Sequence, residues 1–539
     1  MSTLEQAGTG LHNLSKRQLA GTLTGLLLTL FLAALDQTIV GTAMPRIIAQ
    51  LNGFDRYPWV TTAYLLTSTL AVPIFAKLSD IYGRKWFFLA GTMLFVVASA
   101  FCGGAGEIPW VPGDGMTQLI VFRGIQGLGA GMIVGLLFTI IGDIFAPADR
   151  AKFQGLFAAV WGLASIFGPT LGGWITDQWS WRWTFWVNLP VGALAAASIF
   201  VEFPYFRPHG VRRQIDWWGV LTLSACLIPL LLALTWVTDY GWGSQRVVSL
   251  LAIATVMLVA FLWTERRASE PLLPLGLFRD PVIAVSSVAV FLLGIGTFGV
   301  ILYVPLFMQG VLGISATRSG SLLTPLLLGA VVASMAAGGI IGRTGRYRSL
   351  AIGGSVLATI GMFLMAAMDG NTTHWEVVRN MVIAGLGIGV MQPIYTLAVQ
   401  NVAPATQMGA ATASTQFFRS IGATLGVAVF GSVLLTKYHN GFQDSVPPGT
   451  PPQILTPFNN PILLMQIRAQ LEAKFAQFPR GLDLLHKLLD NVRTALVNGL
   501  HAIFLMGAIL MVVGVAANLF LREVPLRKKV HNPAAAVEA

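Results

Sequence analysis

Charge is scarce in this chain. Only 11% of its 539 residues are charged, while 55% are hydrophobic, against about a quarter charged in an ordinary soluble domain. That shortage excludes a water-soluble enzyme or binding module of usual composition. Cysteine is nearly absent: Cys102 and Cys226 stand in or beside separate apolar runs, so no disulfide framework is expected. The seven histidines and two cysteines show no metal-ligand spacing. There is no G-x-x-x-x-G-K-[ST] loop to cradle a nucleotide phosphate, so neither ATP drive nor any other cofactor is expected.

What the chain has is apolar length. Runs of about 20 apolar residues, the length a bilayer-spanning helix needs, recur from end to end. They predict an all-α integral membrane protein with fourteen transmembrane helices. The net charge of +11 does not point to nucleic acid, because the basic residues sit in short loops between the spans. With the N-terminus in the cytoplasm, Lys16, Arg17, Arg84, Lys85, Arg212, Arg213, Arg266, Arg267, Arg527 and Lys528 all fall inside. This is the positive-inside pattern, and it puts both termini in the cytoplasm of a cell-membrane protein. The first run follows Lys16 and Arg17 without a small-residue cleavage site, so it is expected to be a retained span.

The expected organisation is a cytoplasmic N-terminus over 1–18 and a six-helix bundle over 19–202. A linker with two extra spans covers 203–280, and a second six-helix bundle covers 281–521. A cytoplasmic tail follows over 522–539. The second bundle includes a long extracytoplasmic loop, 437–498. Its "SVPPGTPPQILTP" is too proline-rich for regular helix. Its "LLMQIRAQLEAKFAQF" and "LDLLHKLLDNVRTAL" have helical apolar spacing and are expected to lie on the outer membrane surface or to cap the protein there.

Three pairs of segments repeat in the same order at nearly constant separation. "GRKWFFLAG" from Gly83 pairs with "GRYRSLAIG" from Gly345. "GLGAGM" from Gly127 pairs with "GLGIGV" from Gly385, and "GPTLGG" from Gly168 with "GATLGV" from Gly422. Both copies face the same side, so the halves form a parallel repeat, a common architecture of secondary transporters.

Asp36 interrupts this apolar landscape. Of 23 acidic residues it is the only one placed deep in a span. An intramembrane carboxylate is costly and marks function by default; burial would let it load and release protons near neutral pH. The competing reading is a structural ion pair near the helix end. Arg123 lies at similar depth in the fourth span and could pair with Asp36, and Gln126 shares its helix face. Arg419 is a second intramembrane cation with no acid nearby in sequence. Gly83 suits the tight turn after Asp80, whose carboxylate can accept backbone N–H bonds there. Gly168, Pro169, Gly172 and Gly173 make a bent, closely packed stretch, or simply a small-residue contact. Gln37, Tyr64, Trp161, Tyr303, Gln392, Tyr395, Gln416 and Arg419 are candidates to line an apolar, aromatic cavity between the halves.

Several stretches together resemble the major facilitator superfamily, specifically its fourteen-span drug:proton antiporter branch (the DHA2 type). They are "LDQTIVGTAMP" at Leu35, "AKLSDIYGRK" at Ala76, "FRGIQGLGAG" at Phe122, "GPTLGG" at Gly168 and "WRWTFWVNLPVG" at Trp181. Ala76 and Ile81 depart from the family's loop pattern, and Arg343 stands where the second copy has an acid. The resemblance implies proton carriage by Asp36. It also implies a cytoplasmic gate network of Asp80, Arg84, Asp143 and Arg150 that breaks on inward opening. The expected function is proton-coupled export of hydrophobic or amphipathic compounds, not enzymatic catalysis. The expected partners are the bilayer, protons and such substrates; no nucleic acid is expected and a monomer suffices. Export of one dedicated lipid, siderophore or metabolite is the alternative in the same fold. A non-transporting receptor or scaffold is the alternative of a different class.

Overall fold

The computed structural model describes residues 15–144, 147–205, 216–269, 271–404, 408–447, 452–477 and 481–525. Among them there are helices and turns and no strand. The first half comprises α1 (Lys16–Leu51), α2 (Tyr57–Tyr82), α3 (Arg84–Gly103), α4 (Gly115–Ile144), α5 (Pro147–Gln178), the single turn α6 (Trp183–Trp186) and α7 (Asn188–Glu202). Two helices follow, α8 (Trp217–Tyr240) and α9 (Gln245–Arg267). The second half comprises α10 (Pro281–Gly310), α11 (Ala316–Thr344), α12 (Arg348–Ala366), α13 (His374–Val402), α14 (Met408–Ser445), the turn α15 (Pro452–Leu455), α16 (Pro461–Phe475) and α17 (Gly481–Leu519).

Twelve stretches of the described helices are long and apolar enough to cross a membrane, α6 and α7 counting as one. The helices α2 and α5, of 26 and 32 residues, pack among them. That makes fourteen spans, with the start of α1 and the end of α17 on one side. We call that the terminal side and the other the distal side.

Polar residues set the helix ends. Ser15 and Gln18 form a capping box on α1, and Thr373 and Glu376 form one on α13. The carboxylate of Asp280 accepts from the Val282 and Ile283 amides to start α10. The α2–α3 turn is made by Gly83 at φ 102°, and its repeat partner Gly345 makes the α11–α12 turn at φ 70°.

The repeat is visible in the packing. α2 packs on α4, and α11 packs on α13. A side chain at Gly127 or Gly131 of α4 would run into the Tyr64 or Ser68 carbonyl of α2. A side chain at Gly385 or Gly389 of α13 would likewise run into the Leu326 or Ala330 carbonyl of α11. These glycines let backbones approach where larger residues would force them apart. α1 packs on α5 as α10 packs on α14, while α8 and α9 pair with each other and touch the bundle through α14 and α2.

The halves meet along α5 and α11, and less extensively along α2 and α14. The long loop differs from its reading in the sequence at both ends: α14 runs on to Ser445, past the expected start at 437, and the last span begins inside it. "LDLLHKLLDNVRTAL" is no separate surface helix; it is the distal part of α17, which runs unbroken from Gly481 to Leu519. No proline interrupts that stretch, and Gly499 inside it packs against Leu434 of α14, so the last span simply starts early. α16 does form separately over "PILLMQIRAQLEAKF", and it touches α1 and α10.

Candidate functional site

Asp36 has no solvent exposure. Its Oδ2 accepts from Arg123 Nη1 at 2.6 Å, and its Oδ1 accepts from Gln126 Nε2 at 2.9 Å. Arg123 Nη1 also donates to Gln126 Oε1 at 2.7 Å, and Arg123 Nε to the Val60 carbonyl at 3.4 Å. The guanidinium lies 4.1 Å from the Tyr64 ring centroid, a cation–π contact that adds attraction where water is excluded. α4 supplies Arg123 and Gln126 three residues apart on one face, as the spacing implied. So the carboxylate and guanidinium neutralise each other deep in the first half. Such a pair is costly to break one-sidedly, by about 3–5 kcal/mol.

A further donor was missed at the sequence level. Asn188 Nδ2, at the start of α7, donates to Asp36 Oδ1 at 3.0 Å and to Ser99 Oγ at 2.9 Å. Asn188 is fully buried. The signal was present: an amide set among the apolar residues of "WVNLPVG" carries the same intramembrane cost as any polar group there. The network therefore joins α1, α3, α4 and α7. The buried Oδ1 of Asn188 has no hydrogen-bond partner among the described residues.

A small cavity, with room for about one water molecule, lies between the halves beside this network. It is lined by Gln37 and Gly41 of α1, Tyr64 of α2, Arg123 of α4, and Phe298 and Ile301 of α10, among others. Of the other cavity candidates, Trp161 of α5 is half-buried against Ala34, Leu35 and Ala164. Tyr303 is fully buried; its hydroxyl donates to the Val427 carbonyl at 2.8 Å, and its ring packs edge-on against Tyr57. Tyr395 is fully buried and shares a hydrogen bond with Asn518. Those two phenols hold helices together. Gln392 is exposed, while Gln416 and Arg419 are half-buried. Among the described residues, the side chains of these last three make no hydrogen bond.

"GPTLGG" lies at the seam. Pro169 sits inside an unbroken α5. Gly168 and Gly172 press on Thr38 and Ile39 of α1, and Gly173 on the Ala316 carbonyl of α11. Gly320 of α11 presses in turn on the Pro169 carbonyl. Just distal, Asp177 Oδ2 accepts from the Thr317 amide at 2.7 Å and from its hydroxyl at 2.5 Å. Gln309 donates to the Thr42 carbonyl at 3.0 Å, Tyr57 to the Leu302 carbonyl at 2.6 Å, and Asn460 of the long loop to the Ile48 carbonyl at 3.1 Å. The halves are thus laced together on the distal side.

On the terminal side, Gly83 makes the expected turn, and the buried Arg84 Nη1 bonds to Ser79 Oγ at 3.0 Å. The side chains of Asp80, Asp143 and Arg150 lie outside the described residues.

Comparison with known proteins agrees with this architecture. A family model, Major Facilitator Superfamily, matches residues 26–427. The multidrug transporter protein MdtP of Bacillus subtilis is 37% identical over 533 residues, covering 96% of this chain and 95% of that protein. Multidrug resistance protein 3 of the same organism is 39% identical over 425 residues, covering 78% and 80%. A bacterial homolog of the human lysosomal transporter Spinster, solved in an inward-facing, unoccupied conformation, superposes with a TM-score of 0.62 at 15% identity. It covers 95% of this chain and all of that one, a likeness of fold.

Proposed function

This chain belongs to the Major Facilitator Superfamily, and we propose that it is a proton-coupled antiporter exporting hydrophobic and amphipathic compounds by alternating access. It is a membrane transporter and not an enzyme. The observation that carries the proton-coupled reading is the fully buried Asp36 held by Arg123, Gln126 and Asn188. Protonation removes the charge that holds Arg123. It also weakens the donation from Asn188, which links α1 to α7 and, through Ser99, to α3. Loading a proton therefore changes the preferred packing of four helices at once, which is what a two-state element requires.

The distal seam of α5 and α11 would open as the terminal side closes. The terminal side is assigned to the cytoplasm of a cell membrane, with Arg84 in a gate beside Asp80, Asp143 and Arg150. The contacts of such a gate would have to break in every cycle. Drive comes from the proton gradient, and the single chain with its bilayer suffices. The names of the two Bacillus relatives support drug-like substrates.

The test uses inside-out vesicles with an acid interior and several unrelated lipophilic dyes. Uptake that needs the gradient and is lost in Asp36→Asn supports the reading. Equal uptake by that variant makes Asp36 structural and sinks the coupling mechanism. Failure of the wild type to move any dye favours a single dedicated substrate.

A further inference from the structure

We propose that Arg419, with Gln416 and Gln392, binds an anionic oxygen group, such as a carboxylate, sulfonate or phosphate, carried by an amphipathic molecule. Arg419 lies inside α14 and, among the described residues, makes no hydrogen bond or ion pair. An intramembrane cation normally faces the bundle interior or a wet cavity and has a partner there. The nearest candidate in kind, Asp36, is already committed to Arg123. Arg419 is half-buried, and its backbone is fixed: its carbonyl abuts Gly294 of α10.

The two glutamines belong to the same layer. α13 and α14 touch near the terminal side, where Gln400 bonds to Thr412 at 3.2 Å. From that contact, Gln392 lies about 12 Å deeper along α13 and Arg419 about 10 Å deeper along α14, at 1.5 Å per residue. Gln416 lies one turn nearer the terminal side on α14. All three are polar, accessible and without protein partners. A planar guanidinium grips an oxyanion through two parallel N–H bonds, and amides beside it can complete the remaining lone pairs. This layer is closer to the terminal side than the Asp36 network, where a cytoplasmic compound would enter. Calling the bound molecule a cargo rests on the export reading above; its capture does not. A lipid headgroup offers the same chemistry as an amphipathic anion.

The full-length protein is placed in nanodiscs of phosphatidylcholine without any gradient, and dye binding is read by fluorescence polarisation. The probes are the anion fluorescein and a cationic rhodamine ester of the same ring system. Arg419→Gln is expected to weaken fluorescein binding by roughly ten- to a hundredfold, the range set by a charge-assisted hydrogen bond. Arg419→Lys should recover part of it, and rhodamine binding should stay unchanged. Adding phosphatidylglycerol distinguishes the sources. Competition with fluorescein in the wild type but not in Arg419→Gln identifies a lipid headgroup as occupant, and no competition identifies the free amphipath. Unchanged fluorescein affinity in Arg419→Gln overturns the proposal. So does an equal loss of both dyes, which would mean a damaged cavity, or no fluorescein binding by the wild type. No proton gradient is present, so this result stands apart from whether Asp36 couples transport.

Discussion

Each half of the transporter holds one arginine inside the membrane, in opposite electrical situations. Arg123 is sealed against Asp36 at 2.6 Å, with Tyr64 stacked on its face. Arg419 is half-buried and has no partner among the described residues. The backbone repeat is close: the same glycines bring α4 onto α2 and α13 onto α11. The side chains that carry charge have not followed it. The two halves share the scaffold and differ in charge, with a neutralised pair on one side and, on the other, a cation that has no partner among the described residues.

The largest expected effect breaks the sealed side. Arg123→Ala strands a buried carboxylate, and thermal unfolding should show a loss of about 3–5 kcal/mol. Combining it with Asp36→Asn should restore much of that loss, because no buried charge is then left alone. The same truncation at Arg419 should cost far less stability, since no ion pair is lost.

The seam offers the next test. Gly320→Leu drives a side chain into the Pro169 carbonyl. It should hold the distal face apart, so that a cysteine at Thr317 labels faster with an impermeant maleimide while transport falls. Gly342 of α11 meets nothing within 4 Å, and the same change there should leave both readouts near wild type.

Asn188→Leu probes the donor that sequence reasoning missed. An unmade bond to a charged group costs about 1–3 kcal/mol. That cost should be clear in the wild type and much smaller in an Asp36→Asn background; additive effects would mean that Asn188 acts elsewhere.

The smallest effect is at the distal surface. Arg56 bonds to the Asp114 carboxylate and holds it well below the usual carboxylate range. A depressed carboxylate stabilises the fold above its unfolded value, and that contribution fades as pH falls below about 4. Both side chains are substantially exposed, so Asp114→Asn should lower stability by about 1 kcal/mol or less at neutral pH. The difference from wild type should shrink on acidification.

Most of the fold was legible because the bilayer imposes a strict rule: every span must be a long apolar helix. Glycine marked the turn at Gly83, and the small residues around Pro169 marked a close helix contact, but not that it lies between the halves. The pair of Asp36 and Arg123 could be read because charge is so expensive in a span. Tertiary choices were harder to read. Tyr303 and Tyr395 look like cavity residues in one dimension, yet both hydroxyls meet partners more than a hundred residues away. Asn188 was missed, although four glutamine amides were named, because nothing in one dimension shows that the start of α7 folds against Asp36. The start of α17 was misplaced because amphipathic spacing does not distinguish a surface helix from the extension of a span.

The most direct test of the coupling role of Asp36 separates movement from drive. Proteoliposomes carrying wild type or Asp36→Asn are assayed for uphill dye uptake under a proton gradient, and for exchange of the same dye with no gradient. The account predicts that Asp36→Asn loses uphill uptake but keeps exchange, because the cavity survives while the proton-binding carboxylate does not. Undiminished uphill uptake by Asp36→Asn would contradict it.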